Sequence, residues 1–212
     1  MFPGKNRGEL IMFHEGLLVV VCGPSGVGKG TIIKSFKDKI KNIRLSVSAT
    51  TRNPRQGEED GINYFFKTQE EFEEMIKNNE LVEWVEYCGN FYGTPIKYIE
   101  DSVKLGYDVV MEIEVEGAAQ IREKYPDMVS IFILPPSFEE LKKRIDGRGT
   151  EKPHVIKKRL DRAKKEIQSV EKYDYIIIND NVDEAADELR CILLSEKHKF
   201  KRNEGILKQI GI

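Results

Sequence analysis

Leu17-Leu18-Val19-Val20-Val21-Cys22-Gly23-Pro24-Ser25-Gly26-Val27-Gly28-Lys29-Gly30-Thr31 is the stretch on which the fold turns. Its first half is a continuous apolar, β-branched run ending at Gly23, the pattern of a strand buried on both faces of a parallel sheet. Its second half is a glycine-rich loop. From Thr31 to Ile40 apolar and basic residues recur at helical spacing, with Ile32, Ile33, Phe36 and Ile40 forming an inner stripe. Strand, glycine loop and helix in immediate succession are the context that a phosphate-binding loop requires. The glycines let backbone N–H groups turn inward around phosphate oxygens, the helix start adds a favourable dipole, and Lys29 brings a positive charge. A tight structural turn beside a surface lysine is the plain alternative, and placement and spacing together weigh against it.

The loop departs from the Walker A pattern in one place. After the lysine, where Ser or Thr is usual, stands Gly30, and the hydroxyl comes one residue later at Thr31. Thr31 is expected to touch phosphate, and the metal ligand of the loop stays open.

Outward from the loop, the chain keeps alternating strands and helices, which implies an α/β fold with a parallel sheet. Val109–Val115 and Val129–Leu134 read as core strands, the second stopped by Pro135 and Pro136, and Tyr175–Ile178 reads as the last strand. Between Ile43 and Val103 the texture shifts to short alternating stretches, suggesting an inserted subdomain. Within it Thr68 and Glu71 form a capping box for a helix, and Thr94 with Pro95 is expected to open another that Gly106 closes. Ser137 with Glu140 opens a helix running to Gly147, a longer helix ends near Lys172, and Asp183 is expected to cap the closing helix. Residues 139 to 172 hold 12 Lys and Arg against 7 Asp and Glu, so this segment reads as a mobile basic arm rather than a core element.

Composition narrows the function classes. The chain has 212 residues, 34 basic against 36 acidic and a formal charge of -2, so no whole-molecule field draws it to nucleic acid or an anionic membrane. Cys22, Cys88 and Cys191 have no metal-type spacing and fit reduced thiols in a cytosolic protein. The apolar stretch near the N-terminus is too short and interrupted for a signal or spanning helix, and residues 1–15 are read as a leader outside the fold.

Ser48-Ala-Thr-Thr-Arg52-Asn-Pro54-Arg55 sets two arginines on either side of a proline, where both can converge on one anion; a solvated basic turn is the alternative. From here the chain resembles the guanylate kinase family. The run 48–55, then Gly57-Glu58 and Gly61-Ile-Asn-Tyr64, then Leu81-Val-Glu83-Trp84, then Gly89-Asn-Phe-Tyr92-Gly93-Thr94 follow that family in order and spacing. So does Leu141-Lys-Lys-Arg144-Ile-Asp-Gly-Arg148-Gly-Thr-Glu, like the family's lid. The resemblance implies a P-loop three-layer core with a parallel sheet over residues 16–195. It also implies an inserted subdomain binding the nucleoside monophosphate (NMP) at about 44–103, a helical lid at about 137–172, and a basic tail at 196–212.

The activity it implies is transfer of the γ-phosphoryl group of ATP to GMP, with Mg²⁺ carried by ATP, in the cytoplasm and without a nucleic acid or membrane partner. Gly23 to Thr31 and Asn179 would bind ATP. Arg52, Arg55, Tyr64 and Tyr92 would hold the GMP phosphate, and Ser48, Glu83, Thr94 and Glu112 would read the guanine. Lys29 and the lid arginines Arg144, Arg148 and Arg159 would carry the transfer. Glu112 and Glu114, at the end of an apolar strand, are placed on one face because side chains alternate, with Glu114 or Thr31 as candidate metal contacts; a pair on a solvent edge is the alternative. Rival readings are another monophosphate kinase and a non-catalytic guanylate-kinase-like binding module, against which the intact loop and lid arginines argue. A small GTPase lacks support, since no Asn-Lys-x-Asp segment is present.

Overall fold

The computed structural model describes residues 16–87, 89–147 and 153–211. In chain order the elements are β1 (Leu18–Cys22), α1 (Lys29–Lys39), β2 (Ile43–Leu45), β3 (Ala49–Thr50), β4 (Phe65–Phe66), α2 (Gln69–Lys77), β5 (Leu81–Tyr87), β6 (Asn90–Pro95) and α3 (Ile96–Lys104). There follow β7 (Asp108–Glu112), α4 (Val115–Lys124), β8 (Val129–Leu134), α5 (Phe138–Asp146), α6 (Pro153–Ile167), β9 (Tyr175–Ile178), α7 (Val182–Lys197) and α8 (Ile206–Gln209).

Five strands form a parallel sheet in the order β2-β7-β1-β8-β9. Side chains alternate across it, so Val19 and Val21 of β1 enter one core with Ile32 and Phe36 of α1 and Leu189 of α7, while Val20 and Cys22 enter the other with Ile99 of α3 and Ile121 of α4. Both faces are therefore covered, as the apolar run of β1 demands, and the result is a three-layer α/β core. After β2 the chain leaves this sheet and builds a second, in the order β4-β3-β6-β5, before returning at β7. Phe72 of α2 packs beneath the second sheet with Ala49 and Leu81, its ring stacked on Phe91.

Several local expectations are corrected. Helix α1 begins at Lys29, not Thr31, so the loop lysine is its first residue and Gly28 its cap. Thr94 does not cap α3; it stays in β6, and Pro95 occupies the cap position. The strand expected to reach Val115 stops at Glu112, and α4 begins at Val115. Asn181, not Asp183, caps α7, its side chain accepting from the N–H groups of Asp183 and Glu184. The Thr68–Glu71 box is complete. At α5 only the Ser137 half forms, because the Glu140 carboxylate turns to Arg144 and Lys143 instead.

The basic arm is not peripheral. Leu141, Ile145 and Ala163 are buried in the core, and Ile156, Leu160 and Ile167 pack against it, so α5 and α6 present a narrow apolar stripe beneath a charged outer surface. The longer helix ends at Ile167, with a 3₁₀ turn at Val170–Lys172 after it. Cys22 is buried, and burial pushes its thiol up to about 12, whereas Cys191 is exposed; both are free, and Cys88 lies outside the described residues. No helix among the described residues is long and apolar enough to cross a membrane.

Candidate active site

The loop between β1 and α1 opens on a cleft of about 690 Å³ at the carboxyl ends of the parallel strands. Gly28 takes φ 95°, a left-handed conformation that glycine adopts without strain, and hands the chain to α1. A Cβ there would lie 2.6 Å from Nδ2 of Asn179, which donates to the Val27 carbonyl at 2.7 Å. Asn179 thus fastens the loop from beneath, and its Oδ1 is buried with no partner. Lys29 is 8% exposed and donates from Nζ to the Gly23 carbonyl at 2.6 Å. Gly23, Pro24 and Val27 form the frame of the loop, while Ser25, Gly26, Gly28, Lys29, Gly30 and Thr31 line the cleft.

The departure at Gly30 has a structural counterpart. A Cβ at that position would stand 3.2 Å from Oε2 of Glu112, so the glycine makes room for a carboxylate at the foot of the loop. Glu112 still reaches solvent, but the cleft walls strip enough water to raise its carboxyl, with Lys29 opposing and Glu114 adding to the rise. Glu112 and Glu114 do not sit on one strand face as the sequence suggests, because Glu114 has already turned into the cap position of α4. Its carboxylate lies 3.6 Å from Arg162 of α6.

Across the cleft the second sheet supplies Ser48, Tyr64, Glu83 and Tyr92. Glu83 is 4% exposed; its Oε1 accepts from the Thr94 hydroxyl at 2.8 Å, and Thr94 lies 3.3 Å from the Ser48 hydroxyl. Burial pushes the Glu83 carboxyl up to about 7, against the pull of Thr94 and Lys124. Tyr64 and Tyr92 meet edge to face at 6.2 Å, and the Arg52 guanidinium lies 5.4 Å from the Tyr64 ring centre. Arg52 is tied to Glu58 at 2.9 Å, which raises its own pKa and lowers that of Glu58. Glu58 also accepts from the Arg55 N–H at 2.7 Å, so one carboxylate fixes the turn that carries both arginines. The Arg55 side chain is exposed and is not among the cleft-lining groups.

From the third side come α5 and α6. Arg159 donates to the Ser25 hydroxyl at 2.8 Å, joining α6 to the loop, and Arg144 donates to Glu140 at 3.1 Å and to the Asn179 carbonyl at 2.9 Å. Arg148 lies outside the described residues.

The chain as a whole is similar to known proteins. The model of the guanylate kinase family fits residues 15–196. The chain belongs to the guanylate kinase family. It is 52% identical over 189 residues to a guanylate kinase of Halalkalibacterium halodurans, covering 89% of this chain and 93% of that one. It is 48% identical over 196 residues to a guanylate kinase of Caldanaerobacter subterraneus, covering 92% and 95%. Among solved structures, the guanylate kinase from Anaplasma phagocytophilum superposes with a TM-score of 0.74 at 36% identity, covering 94% of this chain and 97% of that one. Membership of the guanylate kinase family makes this chain a nucleoside monophosphate kinase, and the three-layer core, a parallel sheet between helices, is the P-loop kinase fold.

Sequence reasoning overlooked several groups around this guanylate kinase site. Glu58 stood in a quoted segment without a role, and Arg162 and Glu166 looked like ordinary members of a charged helix. Arg162 donates to Glu166 at 2.7 Å, and burial raises the Glu166 carboxyl, whose Oε2 has no partner. Helix α4, with Gly117, Gln120 and Lys124, was not anticipated at all. A Val-Glu-Gly-Ala-Ala-Gln start gives little apolar periodicity, and the signal was its position between two core strands.

Proposed function

We propose that the chain transfers the γ-phosphoryl group of ATP to GMP in the cytosol by direct in-line displacement, with the residue roles that follow. The observation that carries this reading is that the phosphate loop on one wall and Glu83 and Ser48, linked through the buried Thr94, on the other open on the same cleft. Guanine presents N1–H and N2–H₂ as adjacent donors, which one acceptor-only carboxylate can take together; adenine presents an acceptor beside a donor and leaves Glu83 mispaired. A site built on buried polar pairs discriminates strongly, because the wrong base strands them.

The loop amides and Lys29 cradle the β and γ phosphates of ATP, Lys29 exchanging its Gly23 carbonyl for phosphate oxygen. The orphaned Oδ1 of Asn179 offers an acceptor to the adenine amino group. Arg52 and Arg55, with the hydroxyls of Tyr64 and Tyr92, hold the GMP phosphate. One of its oxygens, already ionised near neutral pH, attacks the γ phosphorus, and the bond to the β–γ bridging oxygen breaks with its electron pair leaving on ADP. No base and no covalent enzyme intermediate are needed, so positioning and charge do the catalysis. Arg144, Arg148 and Arg159 meet the charge on the moving group and exclude water.

Among the described residues no group of three or more His, Cys, Asp or Glu is arranged to hold a metal alone. That suits Mg²⁺, which keeps its waters and rides on substrate phosphates with one or two protein oxygens. Thr31 and the Glu114 carboxylate border the cleft beside the loop and are the groups that would hold it, and the ion would neutralise charge on the β and γ phosphates.

A coupled assay of ADP release tests the reading, with ATP and Mg²⁺ and with GMP, dGMP, AMP, CMP and UMP as acceptors. Turnover on GMP well above the non-guanine acceptors is expected. Equal turnover on AMP or UMP would discard Glu83 as the base reader, and silence from folded protein would discard the reaction.

A further inference from the structure

The second sheet meets helix α4 of the core along a seam that none of these roles uses. Strand β5 is an edge of the second sheet, so one row of its backbone groups has no neighbouring strand. Helix α4 of the three-layer core closes that edge. Gln120 accepts from the Trp84 N–H at 3.1 Å and donates to the Trp84 carbonyl at 2.9 Å, as a paired strand residue would. One turn on, Lys124 donates to the carbonyls of Val82 and Leu81 at 2.8 and 3.2 Å.

These bonds fall on an irregular piece of strand. Leu81 faces Pro95 but Glu83 faces Thr94, so two steps along β5 match one along β6, and Val82 is the extra residue of a bulge. Bulges re-aim the side chains beside them. Here the bulge breaks the alternation, and Leu81, Val82 and Glu83 are all buried. Gly117 lies one turn before Gln120 on the same face of α4, since residues three and four apart share a helix face. A Cβ on Gly117 would stand 2.6 Å from Oε2 and 3.2 Å from Cδ of Glu83. The other carboxylate oxygen is held by Thr94, so an added methyl forces the carboxylate off its place against the helix.

We propose that this face of α4 is the positioning element of the base pocket. Lys124 and Gln120 pin the bulged edge of β5, and Gly117 leaves the space in which the Glu83 carboxylate lies against the helix. Specificity for the acceptor base is thereby set by a helix of the core as well as by the second sheet. The proposal rests on the reading of Glu83 as the guanine acceptor.

The test compares kcat and the KM values for GMP and ATP in the parent, Glu83→Ala, Gly117→Ala, Gln120→Ala and the double variant Glu83→Ala/Gly117→Ala. Gly117→Ala is expected to raise the GMP KM about tenfold to a hundredfold, as small displacements of a recognition group do, with the ATP KM changed by less than about twofold. Gln120→Ala, which adds no volume, is expected to raise the GMP KM about threefold to tenfold and likewise to spare ATP. In the Glu83→Ala background the Gly117→Ala change should have no further effect, because the group it displaces is gone. If Glu83→Ala impairs GMP but Gly117→Ala and Gln120→Ala leave the GMP KM at the parent value, the positioning role is overturned and the base reading stands. Equal rises in the GMP and ATP KM values, or the same Gly117→Ala effect with and without Glu83, would reduce the seam to general stability and overturn it too. A parent-like GMP KM in Glu83→Ala would remove the base reading and the proposal together.

Discussion

The phosphate loop and the proposed base pocket face each other across one cleft, but they are assembled in opposite ways. The donor side is nearly all contiguous chain, Gly23 to Thr31, with distant fastenings from Asn179 beneath it and Arg159 beside it. The acceptor side gathers Ser48 from before β3, Glu83 from a bulge in β5, Thr94 from β6 and open space at Gly117 of α4. The first is a motif in the strict sense: local backbone conformation creates the site, and little elsewhere can displace it. The second is a meeting of elements, and any of several remote side chains can loosen it without touching the substrate.

The largest effect that probes this contrast is on the donor side. Lys29→Ala removes the ammonium at the start of α1 that is proposed to meet the phosphates, and kcat is expected to fall about a thousandfold, in line with the loss of a charge-stabilising donor. GMP binding, measured by titration calorimetry without ATP, should be retained, because the acceptor pocket shares no element with the loop. Unchanged turnover would remove Lys29 from the mechanism; loss of GMP binding would show that the halves are not independent.

Glu83→Gln probes the acceptor side and separates function from stability. The amide can no longer accept from two adjacent donors, so kcat/KM for GMP is expected to fall about a hundredfold. Stability should move the other way. The Glu83 carboxyl titrates at about 7 when folded against an ordinary 4.5, so the folded state favours its protonated form. Its contribution is fully present below pH 4.5 and is lost as pH rises through 7. A neutral isostere escapes that loss, and at pH 8 Glu83→Gln should gain about 3 kcal/mol in a denaturant titration, with no gain at pH 4. Destabilisation at pH 8 would mean that the ionised carboxylate is better satisfied than its burial implies.

The same contrast explains what the sequence disclosed. Local features were legible: the strand, loop and helix of residues 17–40, the Thr68–Glu71 box and the stop at Pro135 are each written in neighbouring residues. Features decided by a partner far along the chain were not. Thr94 looked like a helix cap, but it serves Glu83 as a donor, and nothing near it in sequence says so. Glu112 and Glu114 looked like a pair on one strand face until β7 ended between them. The α5–α6 segment looked peripheral because its charges outnumber its apolar residues, yet the few apolar positions align on one stripe and go inside. Gly117 gave no sign of its importance, since the atom that needs its space belongs to another sheet.

The smallest effect concerns pH. Glu83 is faced by the Thr94 hydroxyl and, more distantly, by the Lys124 ammonium, and both favour ionisation without overcoming burial. If guanine is taken by the carboxylate form, a proton competes with GMP. The KM for GMP should then rise about fourfold between pH 8 and pH 6.5 for a group titrating at about 7, while the KM for ATP follows only the titration of its own phosphates. The phosphate of GMP also takes up a proton near pH 6, so the parent profile alone is ambiguous. Glu83→Gln resolves it, because the variant keeps the phosphate titration and loses that of the carboxyl. A GMP profile that is the same in parent and variant would assign the whole pH effect to the phosphate and would leave Glu83 ionised throughout. A profile that flattens above pH 6.5 only in the variant would tie base recognition to the charge on one buried carboxylate.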